Sequence, residues 1–161
     1  MRGSSTRPRA QRGAASVEFA LVASLLITLI LAVISYSYML SFRQGLSQGA
    51  AEGARAAVMA AVNAPQSPDP VNAVNAVNEV LSSYGVTCSI PSGTTGTLTR
   101  NAVVVGECSV AFTVCANDPA HTCAVVSLGY LYRDNALVPS FPGMGVLLPA
   151  KLSYTSTARV S

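Results

Sequence analysis

The feature that most constrains this chain is a run of 22 residues, Phe19 to Leu40, that carries no charge and is rich in Leu, Ile, Val and Ala. At about 1.5 Å per residue, a helix of that length covers roughly 33 Å, enough to cross the hydrocarbon core of a bilayer. Arg2, Arg7, Arg9 and Arg12 precede the run, no acid appears before Glu18, and Arg43 follows closely. The positive-inside bias therefore puts the N-terminus in the cytoplasm and everything after residue 43 outside. A secretory signal peptide would have an apolar core of about 7–15 residues ending at a small-x-small cleavage site. The run here is longer and no strong site of that kind follows it, so a retained span is expected.

Composition narrows the rest. The 161 residues fit about one domain, half of them are hydrophobic, and that excludes a disordered chain. Only 11% are charged, against roughly 25% in an ordinary soluble protein. The net charge of +3 belongs to the leader, because from Ala14 onward six basic residues face seven acidic ones. No distributed cationic face remains to neutralise phosphates, which excludes nucleic acid as a partner. Catalysis finds no support either: there is a single His and no GxSxG, HExxH, P-loop or dinucleotide fingerprint. Asp69, Glu79, Glu107, Asp118 and Asp134 stand singly beside turns or helix ends and read as solvated charges or caps. The chain reads as a non-enzyme with no cofactor and no metal.

Residues 1–13 form a basic leader with no apolar run to fold around. From Ala14 to Val62 the pattern reads as one helix about 73 Å long, with 14–42 as its membrane part and 43–62 as an exoplasmic continuation. Gly45, Gly49, Gly53, Ala57 and Ala61 recur every fourth residue along one face. Each interior glycine costs about 1 kcal/mol, so three in register call for close approach by another helix. A linker occupies 63–70, ending in Asp69 as an N-cap and Pro70 in a first helical turn. In the VNAVNAVNEVLSSYG stretch, Val71, Val74, Val77 (or Asn78) and Leu81 fall on one face, and Gly85 is the expected C-cap.

After Gly85 the period changes to two. Cys88 to Pro91 reads as a short strand and SGTTGT as a turn. Ala102 to Val114 puts Cys108, Val110, Phe112 and Val114 on one face, and Ala124 to Tyr132 does the same with Val126, Leu128, Tyr130 and Tyr132. RDNA is a turn and LVPSFPGMG an irregular apolar loop. Leu152, Tyr154, Ala158 and Val160 share a face in the last strand, with Ser156 as its polar member. Three or four antiparallel strands with one buried face need a cover, for which the upper half of the long helix is the candidate. The expected fold is α+β: a long membrane-spanning helix packed on a small antiparallel sheet, with 71–161 as an exoplasmic α+β domain. Cys88, Cys108, Cys115 and Cys123 lie on the exoplasmic side and read as two disulfides. Cys115 and Cys123 bracket a short Pro-containing loop, which favours that pair and leaves Cys88 with Cys108. Zinc held by His121 and the cysteines is disfavoured by the single His, the lack of a CxxC pair and an oxidising compartment.

The junction RGAASVEFALV holds the most information. Gly13 closes the leader, and Glu18 stands five residues on at the edge of the uncharged run. A carboxylate in that position costs several kcal/mol unless it is protonated or paired. A cut after Gly13 would free the α-amine of Ala14 on the same side of the membrane, where it neutralises Glu18 in the same chain or a neighbour.

A short basic leader, Gly13, Glu18 and a long apolar helix together resemble a type IV prepilin. The form VEFALV, followed by the Ala50 to Arg55 stretch, resembles the TadE-like family of the tight-adherence (Tad) pilus system. The C-terminal VPSFPGMGVLLPAKLSYTSTARVS is similar to that family's closing loop and last strand. The resemblance implies that a prepilin peptidase cuts between Gly13 and Ala14 and that Glu18 pairs with the N-terminal amine of an adjacent subunit. It implies a minor pilin or pseudopilin of the bacterial inner membrane, N-terminus cytoplasmic, that reaches the cell surface on assembly. The implied partners are other pilin subunits, the peptidase, an inner-membrane assembly platform and membrane lipid. Two other readings share the same run: a single-span protein whose ectodomain binds a ligand or envelope component, and a secreted protein with an unusual signal.

Overall fold

The computed structural model describes residues 9–63, 70–138 and 148–160. Helix α1 runs Arg9–Asn63, so it starts inside the leader rather than at Ala14. The chain divides into two compact units, Met1–Ser37 and Tyr38–Ser161. In the first, the described residues form helix alone, and its apolar side chains are exposed all round: Phe19, Leu21, Leu25, Ile27, Leu29 and Val33 among them. A helix apolar on every side is a membrane span or a buried core helix. This one is long and apolar enough to cross a membrane, and none of its most apolar stretch is buried within the chain.

The second unit is an α+β body. Its sheet is an antiparallel meander of five strands in sequence order: β1 (Val86–Ser89), β2 (Thr95–Arg100), β3 (Val103–Cys115), β4 (Asp118–Tyr130) and β5 (Leu152–Val160). Long β3 and β4 pair at Cys108↔Leu128, Val110↔Val126 and Phe112↔Ala124, and β4 pairs with β5 at Leu128↔Tyr154 and Ala124↔Ala158. Inward residues on β4 (Ala124, Val126, Leu128, Tyr130) alternate with outward ones, as one-sided burial requires. Phe42, Leu46, Ala50, Ala54 and Ala57 of α1 complete the core, which matches the expected cover.

Helix α2 (Val71–Leu81) shares that cover, but not by the expected face. Ala73, Val77 and Leu81 are buried and Val74 is partly so, whereas Val71 is 54% exposed. The VNA repeat has period three and drifts against the 3.6-residue turn, so the stripe that packs follows i, i+4, i+8 instead. Pro70 occupies the cap position rather than the first turn, and Asp69 lies outside the described residues. A 3₁₀ turn, Ser82–Tyr84, intervenes before Gly85, which closes it with the left-handed φ of 67°.

The sheet is strongly curled. Cys88 on β1 and Cys108 on β3 lie on either side of β2, and two strand spacings alone would hold them at least about 9.6 Å apart in a flat sheet. Their Cα atoms are 6.1 Å apart and their sulfurs are bonded. The fold-over passes close above Gly96, where a Cβ would sit 2.0 Å from the Ser89 carbonyl oxygen. Only glycine leaves that room. Between β2 and β3 the chain reverses in two residues, Asn101 (φ 50°) and Ala102 (φ 64°). Two positive φ values make a type I′ turn, whose right-handed twist suits a hairpin.

Candidate assembly and processing site

Gly13 lies within α1, exposed, with nothing within 4 Å of the Cβ it lacks. The Ser16 hydroxyl donates to the Gly13 carbonyl at 3.1 Å. The backbone of Ala14 is helical, which puts it one turn before Glu18 on the same face. Glu18 is exposed, and among the described residues no cation reaches it. Along the apolar run two hydroxyls turn back on their own helix. Ser24 Oγ donates to the Leu21 carbonyl at 2.9 Å, and Thr28 Oγ1 to the Ser24 carbonyl at 2.8 Å. Back-bonding of this kind satisfies polar groups without water, which is what an oily surrounding demands. Glu18 has no such recourse, since a carboxylate accepts and the nearby carbonyls also accept.

The small-residue ridge faces inward within the second unit. A Cβ on Gly45 would meet Tyr84 Cε2 at 2.7 Å, and one on Gly53 would meet Val77 Cγ2 at 2.7 Å and the Ala73 carbonyl oxygen at 3.3 Å. Gly49 has more room, its nearest atom being Leu128 Cδ1 at 3.6 Å. The helix that approaches is thus the chain's own α2, joined by Tyr84 from the turn that follows. All three glycines are buried and present no surface to a neighbour.

Both cysteine pairs are bonded, Cys88 to Cys108 and Cys115 to Cys123. The second closes the β3–β4 hairpin, where the sequence between the cysteines is strand and tight turn rather than the expected loop. A register shift at Val114/Cys115 leaves Pro119 to His121 without partners on β3, which is how Pro119 is tolerated in a strand. His121 Nδ1 lies 2.7 Å from Asp118 Oδ2, while Arg159 Nη1 lies 3.2 Å from the same oxygen and Nη2 3.0 Å from His121 Nε2. Arginine only donates, so Nε2 accepts, while the buried Nδ1 lies close to Asp118 without making a hydrogen bond. This knot holds the strand ends. Among the described residues no group of His, Cys, Asp or Glu is placed to hold a metal.

Sequence reasoning missed three positioning residues. Asn78 on α2 bonds both backbone groups of Cys88, accepting at 2.6 Å and donating at 3.0 Å. Gly129 leaves a gap over which Lys151 reaches Glu107 as an ion pair. Phe42 sits edge-on to Tyr84 and Tyr130, at centroid distances of 5.1 and 4.7 Å. The one signal for Asn78 is its place between Val77 and Leu81 of the buried stripe, where, unlike the exposed Asn72 and Asn75, an amide must find partners. Glu107 and Lys151 are 44 residues apart and gave none.

The model of the TadE-like protein family matches residues 13–55, from the junction glycine to the end of the glycine ridge. No curated protein and no solved structure matches the chain.

Proposed function

We propose that this chain, whose residues 13–55 are TadE-like, is a structural subunit of a Tad pilus, a minor pilin or pseudopilin assembled through its N-terminal helix. The observation that carries the proposal is the pairing of Gly13 and Glu18 at the start of an apolar helix exposed on every side. The precursor sits in the bacterial inner membrane with its N-terminus in the cytoplasm. A prepilin peptidase removes residues 1–13, and the new amine of Ala14 neutralises Glu18 of an adjacent subunit. That pairing sets register, because an unpaired carboxylate in lipid or in a helical bundle costs several kcal/mol. Residues 19–40 supply the apolar contact between subunits, and an inner-membrane platform draws the chain into the filament.

The glycine ridge admits another helix, as its spacing implies, and that helix is the chain's own α2. It seats α2 against α1 inside one subunit, so contact between subunits rests on residues N-terminal to it. The experiment is Glu18→Ala. Cleavage after Gly13 is expected to persist, while the amount of the chain in sheared pili falls. Equal recovery of variant and parent in sheared pili would contradict the register role.

A further inference from the structure

We infer that the sheet end carrying Val103, Val104 and Leu131 is a lipid-contacting surface that rests in the headgroup zone of the exoplasmic leaflet. The inference rests on the membrane-spanning reading of α1. Strand register fixes which residues share this end: Arg100 pairs with Val103, Gly106 with Tyr130, and Tyr130 with Leu152, while the Leu131 amide bonds the Val105 carbonyl at 2.8 Å. The first residues of α1 in this unit are at the same end, for Tyr38 packs on Tyr84, and Phe42 on Tyr84, Tyr130 and Tyr132. The uncharged run ends at Leu40. Covalent continuity therefore tethers this end of the sheet to the bilayer surface.

The end is apolar where a water-facing hairpin tip would be polar. Val103 is 57% exposed, Val104 58% and Leu131 41%. The turn itself carries Ala102 at φ 64°, a conformation in which glycine or asparagine is the low-energy choice. An apolar side chain is held there at a conformational cost and continues directly into the two valines. Arg100 and the exposed Arg133 flank the patch, and Tyr38 stands at the mouth of the span. Exposed aliphatics with tyrosine and arginine at their border are the composition of a membrane interface, where arginine meets lipid phosphate and tyrosine meets the headgroup level. The acids at this end are Glu107, paired with Lys151, and Asp134.

The chain contains no tryptophan, so a single indole reports one position. Full-length Val104→Trp, Val114→Trp and Leu29→Trp variants are reconstituted into phosphatidylethanolamine–phosphatidylglycerol vesicles, with and without lipid brominated near the headgroup or deep in the chain. Val114 is 65% exposed at the opposite end of the sheet and serves as the water-facing control. The expected result is blue-shifted emission from Val104→Trp, lost to shallow bromines more than to deep ones, with Val114→Trp red and unquenched. Leu131→Trp gives the same pattern as Val104→Trp and covers a Val104 variant that fails to fold. If the emission of Val104→Trp matches that of Val114→Trp while deep bromines quench Leu29→Trp, the inference is overturned and the span stays intact. A blue shift in Val104→Trp without bromine quenching also overturns it, since a protein then covers the patch. Leu29→Trp emission untouched by bromines removes the membrane reading itself and the inference with it.

Discussion

The Asn78 side chain holds the backbone of Cys88 at both of its polar groups. Its Oδ1 accepts from the Cys88 amide at 2.6 Å and its Nδ2 donates to the Cys88 carbonyl at 3.0 Å. A sheet edge ends in unpaired N–H and C=O groups, and here a helix side chain takes the place of the next strand. Replacing Asn78 with Leu leaves both groups unsatisfied beside a buried disulfide. The expected loss is about 2 kcal/mol or more, read as a lower urea midpoint for the detergent-solubilised chain. Asn78→Asp keeps the acceptor and loses the donor, so it falls between the two.

The glycine ridge gives a prediction of sign. At Gly49 a methyl group meets ordinary van der Waals distances, so Gly49→Ala gains helix propensity and stabilises by up to about 1 kcal/mol. At Gly53 the same methyl meets Val77 Cγ2 at 2.7 Å and a backbone carbonyl oxygen at 3.3 Å. Valine is stiff at χ1, so overpacking of about 1–3 kcal/mol outweighs the propensity gain. Gly53→Ala is expected to lower the urea midpoint and Gly49→Ala to raise it.

Much of this architecture is legible in the sequence, and the places where it is not have physical causes. Alternation at Val126, Leu128, Tyr130 and Tyr132 marks β4 because every second residue is buried. Strand β2 escapes notice because Leu98 is its one large apolar residue, and Gly96 looks like part of a turn until the curl above it is known. The stripe of α2 is misplaced by the valines, since Ala73 packs fully and Val71 does not. At the assembly segment the residue types are readable but the ridge's partner is not. A row of small residues says that something approaches closely and not that the partner lies in the same chain.

The two disulfides differ in the loops they close. Sequence separations of 20 for Cys88–Cys108 and 8 for Cys115–Cys123 give about 3.3 and about 2.5 kcal/mol by the chain-entropy relation. Paired serine variants are expected to lose stability in that order. Thiol blocking of the unreduced chain is expected to find no free cysteine.

Burial raises the pKa of Tyr130 above its ordinary value, with Arg100 opposing, and burial raises that of Tyr132, with the neighbouring tyrosines adding to it. A raised folded-state pKa favours folding fully below the unfolded value near 10, and that contribution is lost as pH climbs through the folded pKa. Stability is thus expected to fall on the alkaline side as these two phenols ionise. Absorbance titration of the six tyrosines is expected to show a late fraction that rises together with loss of the β-sheet circular dichroism signal.

The central claim is that a new terminus at Ala14 meets Glu18 in an assembled filament. Intact-mass and N-terminal peptide measurement on the chain recovered from sheared pili tests it most directly. The account predicts a mature chain beginning at Ala14. Polymerised chain that still carries residues 1–13 would contradict it.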